Sequence, residues 1–240
     1  MTLINKVSLE PAFVLHTRPY QETSILVDFF TRSYGRLNAI AKGAKRPKSP
    51  LRSVLTPASK LSVTLTGKSD LKTLSSVEII DHFQLNDGVS LNSVIYVNEL
   101  VVKATEREDP HVAIFDDYEI LLQKLSNQSS QVELEQNLRN FELNLLQEMG
   151  YGIDLSRDAE TNHKIEKENI YNFFPDRGFA IDKGTVTSQK SFSGKDILNF
   201  KKGNFEKKET RDASKIIMRM ALDYHLGNKT LNIRKYLTKN

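Results

Sequence analysis

Residues 58–67 read Ala58-Ser59-Lys60-Leu61-Ser62-Val63-Thr64-Leu65-Thr66-Gly67. Leu61, Val63 and Leu65 fall on one side of an extended chain, and Ser62, Thr64 and Thr66 on the other. A period of two with one apolar face predicts a half-buried β-strand. Gly67-Lys68-Ser69-Asp70 supplies a turn, and LKTLSSVEII, residues 71–80, returns as a second extended run. Working back toward the N-terminus, GRLNAIA (35–41) alternates with Leu37, Ala39 and Ala41 on one face. ETSILVDFF (22–30) is β-branched and aromatic, and PAFVLHTR (11–18) is short and apolar. Tyr34-Gly35 marks a tight turn between two of these runs.

Five such strands within about 70 residues predict a small closed barrel, because closure removes exposed sheet edges. The five-stranded version is the oligonucleotide-binding (OB) fold. The pattern changes after Phe83. Leu91, Val94, Ile95, Val97, Leu100, Val101 and Ala104 recur at helical spacing, and Asp109-Pro110 ends that helix. A second helix is predicted from about His111 to Leu125. A third carries Leu134, Leu138, Phe141, Leu145 and Met149, and Gly150 stands where a terminating glycine belongs.

Residues 151–190 read as an irregular insert in which Phe173–Phe179 turns between two short extended pieces. Helices resume near Ser193. A strong amphipathic helix spans about 207–226, with Ala213, Ile216, Ile217, Met220, Ala221 and Tyr224 predicted inward. A last turn holds Leu231, Ile233, Tyr236 and Leu237. The expected class is α+β and multidomain: an OB-fold barrel over 1–82, then a mainly α-helical domain over 83–240.

The 240-residue chain contains no cysteine, which excludes disulfides and thiolate metal sites. No histidine is four residues from another, so no helical zinc pair exists, and no metal or cofactor is expected. Thr66-Gly67-Lys68-Ser69 lacks the earlier glycine and the following helix of a phosphate-binding loop. Asp116 and Asp117 are adjacent, hence splayed about 100° apart on a helix. No serine has nucleophile-elbow spacing, and a nuclease would need a clear set of acidic metal ligands, so no enzymatic activity is expected. The N-terminus has no secretory signal and no run is long enough to span a bilayer. The expected location is cytoplasmic.

Charge is segregated. Residues 1–81 hold 12 basic and 6 acidic side chains, residues 82–170 hold 7 and 17, and residues 171–240 hold 15 and 7. Both ends therefore suit an anionic partner. The densest stretch is Ala41–Arg52, AKGAKRPKSPLR, with five cations and no acid. Cations at the loops of a small barrel can neutralise phosphates. Tyr20, Phe29, Phe30 and Tyr34 interleave with Arg18, Arg32 and Arg36. Phe29 and Phe30 suit a core, whereas Tyr20 and Tyr34, at turns, are candidates for stacking bases. In the acidic middle third, Arg139 lies beside Leu138 and Phe141. It suits capture of a carboxylate next to an apolar anchor, or an internal ion pair with Glu135 or Glu142.

Several segments, in order along the chain, together resemble one family. They are AFVLHTRPYQETSILVDFFTRSYGRL (12–37), AKGAKRPKS (41–49), LKTLSSVEI (71–79), IYVNELV (95–101), RNFELNLLQEMGYG (139–152), GFAID (178–182) and GNKTLNIRKYL (227–237). The set resembles the RecO family of bacterial recombination mediators. The resemblance implies a non-enzymatic protein of DNA repair and homologous recombination, associated with the nucleoid. Such a protein binds single- and double-stranded DNA and anneals complementary strands. It also binds the acidic, Phe-terminated tail of single-stranded-DNA-binding protein and, with RecR, helps RecA load on gapped DNA. An RNA-binding OB-fold module is the alternative.

On this resemblance Arg18, Arg36, Lys42, Lys45, Arg46, Lys48, Arg52 and Lys72 would hold DNA. Lys215 and Arg219, on the late basic helix with Lys207, Lys208 and Arg211, would extend the path or receive the tail's aspartates. Leu138-Arg139-Asn140-Phe141-Glu142-Leu143 matches the family's tail-binding helix. Arg139 would meet the terminal carboxylate, with Leu138 and Leu134 flanking the Phe. Many family members carry a four-cysteine zinc motif at about 150–180; this chain carries none.

Overall fold

A computed structural model of the chain describes residues 5–127, 130–184, 190–227, 231 and 233. The chain forms two compact units. One comprises residues 1–127 with 231–240, the other residues 128–230.

In the first unit the five predicted strands appear as β1 (Lys6–Tyr20), β2 (Ser24–Thr31), β3 (Gly35–Ala41), β4 (Ser59–Thr66) and β5 (Leu71–His82). They close in the order β1-β2-β3-β5-β4. Neighbours are antiparallel except β3 and β5, which pair in parallel through Asn38–Leu71, Ala39–Lys72 and Ile40–Thr73. The alternating residues behave as their spacing dictates: Leu37, Ala39, Leu61, Val63 and Leu65 all lie in the barrel core.

Phe29 and Phe30 are both buried but face opposite ways. Phe29 fills the barrel. Phe30 lies outside it, 5.5 Å from Phe115 between ring centroids. Phe13 joins the same external cluster, 4.9 Å from Phe115 and 4.8 Å from Tyr118. Phe115 and Tyr118 belong to α3 (Val112–Asn127), which follows α2 (Gly88–Ala104). The barrel thus has two cores, one within and one between its wall and these helices. Each fully buried aromatic there contributes about 1.5–3 kcal/mol. The two helices sit in the barrel's compact unit, although the change from strand to helix comes at residue 82.

β1 carries a register shift between Val14 and His16. Buried Asn98 donates to the Leu15 carbonyl there at 3.1 Å, and its own oxygen accepts from the Tyr118 hydroxyl at 2.6 Å. A buried carbonyl in an irregular strand needs such a partner. Gly35 (φ +65°) permits a second close approach: a Cβ there would stand 2.1 Å from the Asp109 carbonyl oxygen.

The second unit contains α4 (Gln131–Glu148), a small sheet, α5 (Gly194–Lys201) and α6 (Lys208–His225). Gly150 takes φ +81°, as a terminating glycine should. The turn at 174–178 joins β6 (Ile170–Phe174) to β7 (Gly178–Ile181). β8 (Ser191–Ser193), a strand too short to predict, pairs with the other edge of β6. The buried face of α6 is rotated from the predicted one. Thr210, Ser214, Ile217, Met218, Ala221 and Leu222 are buried, and Tyr224 is exposed. The rotation is tolerated because the two buried hydroxyls are satisfied, Thr210 by Asp196 at 2.7 Å and Ser214 by the Arg211 carbonyl at 2.8 Å.

A four-cysteine zinc motif, as the resemblance implies, does not fit this chain. Cysteine is absent, and no group of three metal-ligating side chains comes together among the described residues. A carboxylate closes the segment instead. Asp158 is 4% exposed. One of its oxygens accepts the backbone N–H groups of Glu160 and Thr161 at 2.8 Å each, and the other accepts that of Ile181 at 2.7 Å. Burial works to raise its pKa, but these hydrogen bonds outweigh it, and the carboxyl lies below its ordinary value.

The stabilisation is therefore full above the unfolded carboxylate value of about 3.9 and is lost as pH falls through the lower folded value. Asp158→Asn is expected to cost about 2 kcal/mol near neutrality, since the amide removes one acceptor. In urea titrations across pH, the gap between variant and wild type should shrink below about pH 4. A gap that stays constant to the acid limit would show that the charge is not the staple.

Candidate nucleic-acid interface

The basic stretch after β3 is a folded loop. Gly43 (φ +74°) reverses the chain, and Ala44, 2% exposed, inserts into the barrel core. The Lys45 N–H donates to the Thr23 carbonyl at 2.9 Å. Its ammonium donates to the Gln21 carbonyl at 3.2 Å. Successive turns follow, with the Arg46 N–H on the Gly43 carbonyl at 3.1 Å and the Ser49 N–H on the Arg46 carbonyl at 3.0 Å. One helical turn, α1 (Leu51–Val54), begins after Pro50, whose φ of −65° suits a helix start. Leu51, Val54 and Leu55 return to the core.

The loop is thus pinned at both ends by apolar side chains and in the middle by the β1–β2 turn. Lys42, Arg46, Lys48 and Arg52 are left exposed. Among the described residues none of the four has an acidic partner within ion-pair distance. No acidic residue occurs between Asp28 and Asp70, so nothing local neutralises them. Arg18 joins this end of the barrel. It is exposed and pairs in register with Leu26, which in turn pairs with Ile40. Two strand spacings, roughly 10 Å, separate the backbone of Arg18 from that of the β3 end. Tyr20 and Tyr34 are only half-buried, and Tyr34 packs against the barrel core.

Two predicted DNA ligands are corrected. The Arg36 guanidinium is buried. It donates to the Thr105 hydroxyl and carbonyl at 3.1 and 2.9 Å and to Asp28 at 3.2 Å. Burial pushes the Asp28 carboxyl up, against the pull of Arg36 and Arg107. Arg36 therefore ties the barrel to the end of α2. Lys72, 1% exposed, pairs with inward-facing Ala39, and its ammonium donates to the Ser69 carbonyl at 2.8 Å. A buried ammonium so committed offers nothing to a phosphate. Sequence spacing could have flagged Lys72, because it shares strand parity with the core residue Leu74.

In the second unit, Arg139 is 9% exposed and paired with Glu142, which is fully buried. The internal ion pair thus forms at i+3. Glu135, the other candidate, pairs instead with Arg211 at 3.1 Å. The Arg139 Nε is buried without a hydrogen-bond acceptor. Leu134 is core and Leu138 is half-buried. On α6, Lys215 and Arg219 are exposed, the latter 3.8 Å from Asp223.

The two halves of the chain match two family models. Residues 6–83 match Recombination protein O N terminal, and residues 85–234 match Recombination protein O C terminal. The chain is 42% identical to the DNA repair protein RecO of Polynucleobacter asymbioticus over 97% of its own length and 96% of that protein. It is 39% identical to the RecO of Nitrosospira multiformis, over 95% and 93% of the two chains. Against the RecO of Coxiella burnetii it is 36% identical, over 98% and 100%. An OB barrel followed by a helical region, matched over nearly its full length by these proteins, places the chain in the RecO family of DNA repair and recombination proteins.

Proposed function

We propose that this protein handles DNA strands as a recombination mediator without catalysing a covalent step. Its barrel end binds single- and double-stranded DNA through Lys42, Lys45, Arg46, Lys48, Arg52 and Arg18. The observation that carries this reading is the pinned loop with four exposed cations that have no acidic partner within ion-pair distance among the described residues. Neutralising the backbones of two complementary strands lowers their mutual repulsion and releases counterions, which is the physical basis of annealing. Lys215 and Arg219 give the second unit exposed cations of its own, for DNA or for the aspartates of the protein tail.

Arg139, with half-buried Leu138 beside it, is the receiving site for the acidic C-terminal tail of single-stranded-DNA-binding protein. Its buried Nε has no acceptor within the fold, and a tail carboxylate entering beside half-buried Leu138 would supply one. Together with RecR, these two activities would promote RecA loading on gapped DNA.

The test is annealing of two labelled complementary strands coated with single-stranded-DNA-binding protein. Acceleration should be strong at low salt and fade as salt rises. No acceleration at any salt, or a preference for structured RNA over single-stranded DNA in competition, would overturn the reading.

A further inference from the structure

Three elements of the second unit meet at a group of aromatic rings. Tyr151 follows Gly150 at the end of α4, and its N–H donates to the Leu146 carbonyl at 2.7 Å. Its ring stacks on His225 at 4.2 Å between centroids, with the planes 17° apart. His225 closes α6, and its Nε2 lies 2.9 Å from the Pro175 carbonyl oxygen in the β6–β7 turn. Tyr224 stands edge-on to His225 at 5.0 Å. In the same turn the Arg177 guanidinium lies 4.0 Å from the centre of the Phe174 ring.

Two of these rings are open to solvent: Tyr151 is 46% exposed and Tyr224 is 56% exposed. Tyr151 has one face against His225, so its exposure is the opposite face and rim. A ring fixed from behind loses little conformational entropy when something planar stacks on its front. Isolated exposed aromatics are ordinary. A tyrosine backed by a hydrogen-bonded histidine, with a second open tyrosine adjoining, is a built surface.

We propose that the open face of Tyr151, backed by His225 and flanked by Tyr224, is a stacking platform for an unpaired base of single-stranded DNA. This rests on the DNA-handling reading above, which is otherwise argued from phosphate charge, and gives the second unit a site for the base. Two features favour nucleic acid over another planar ligand. Arg177 is exposed in the turn that holds His225, and residues 171–240 carry 15 basic against 7 acidic side chains. Base–aromatic stacking is tolerant of sequence and needs the base unpaired, so the platform selects single strands over duplex.

The test measures binding of a labelled oligo-dT strand and of an abasic strand of equal length, using the full chain. Wild type should prefer oligo-dT. Tyr151→Leu, which keeps apolar bulk without a π-face, should lose roughly 5- to 100-fold on oligo-dT and little on the abasic strand. Tyr151→Phe should retain the preference, and Tyr224→Ala should reduce it in part. The salt slope should not change, because no phosphate contact is removed. A Tyr151→Leu protein that still prefers oligo-dT, or that weakens on both strands equally, overturns the platform alone. An effect confined to an acidic aromatic peptide assigns the ring to a protein partner and overturns it as well. Wild type that binds neither strand overturns the DNA-handling reading itself.

Discussion

Replacing Lys42, Arg46, Lys48 and Arg52 together with alanine is expected to flatten the salt dependence of DNA binding. Each phosphate neutralised contributes about 0.7 to the slope of log K against log salt on a single strand, and about 0.9 on duplex. If all four contact phosphates, the slope should fall by about 3, and binding near 0.1 M salt should weaken by roughly two to three orders of magnitude. The variant should stay folded. What holds the loop is Ala44, Leu51, Val54 and Leu55 in the core and the backbone bond from Lys45 to Thr23, and none of these is touched. Lys45 is kept because its ammonium also serves the β1–β2 turn. Circular dichroism and a urea midpoint equal to wild type would establish this. A slope that does not move would remove the loop from the DNA path.

Arg139→Ala should have the largest effect on stability. It takes the guanidinium of the ion pair away from Glu142, which is fully buried. Removing one partner of a buried ion pair costs about 3–5 kcal/mol, because the desolvated charge loses that compensation. A domain of this size holds only about 5–15 kcal/mol in total, so the second unit should melt well before the barrel. Replacing both Arg139 and Glu142 with leucine should recover most of the loss, since an apolar pair of similar volume carries no desolvation penalty. Urea unfolding of the three proteins checks this, and an alanine variant as stable as wild type would show the pair to be dispensable.

The same geometry dictates how the tail-binding role must be tested. Alanine would confound folding with binding. Arg139→Lys keeps a cation opposite Glu142 but loses the planar fork that grips a carboxylate. It should weaken a tail peptide about tenfold, as expected for one charge-assisted hydrogen bond, and leave naked-DNA affinity unchanged.

Local pattern determined much of this protein. The period of two in Leu61, Val63 and Leu65, and in Leu37, Ala39 and Ala41, is set by strand geometry, so the inward face could be read directly. Gly150 and the helix pattern of 134–149 were equally legible, because helix termination is a local backbone event. The isolated cation run at 42–52 was legible as charge, since no fold could bring it a carboxylate from its own neighbourhood.

What pattern could not decide was which polar groups are spent internally. Arg36 and Lys72 look like surface cations in one dimension. Each is buried because a distant or non-adjacent acceptor waits for it: Thr105 and Asp28, and the Ser69 carbonyl. The burial face of α6 shifted because Thr210 found a partner in Asp196 that spacing does not reveal, while Ser214 turned back onto the Arg211 carbonyl of its own helix. The Tyr151–His225 stack joins residues far apart in sequence, and only packing brings them within 4.2 Å. Periodicity reports what a segment prefers to bury. Tertiary structure decides which charges are compensated, and hence which remain free to meet DNA.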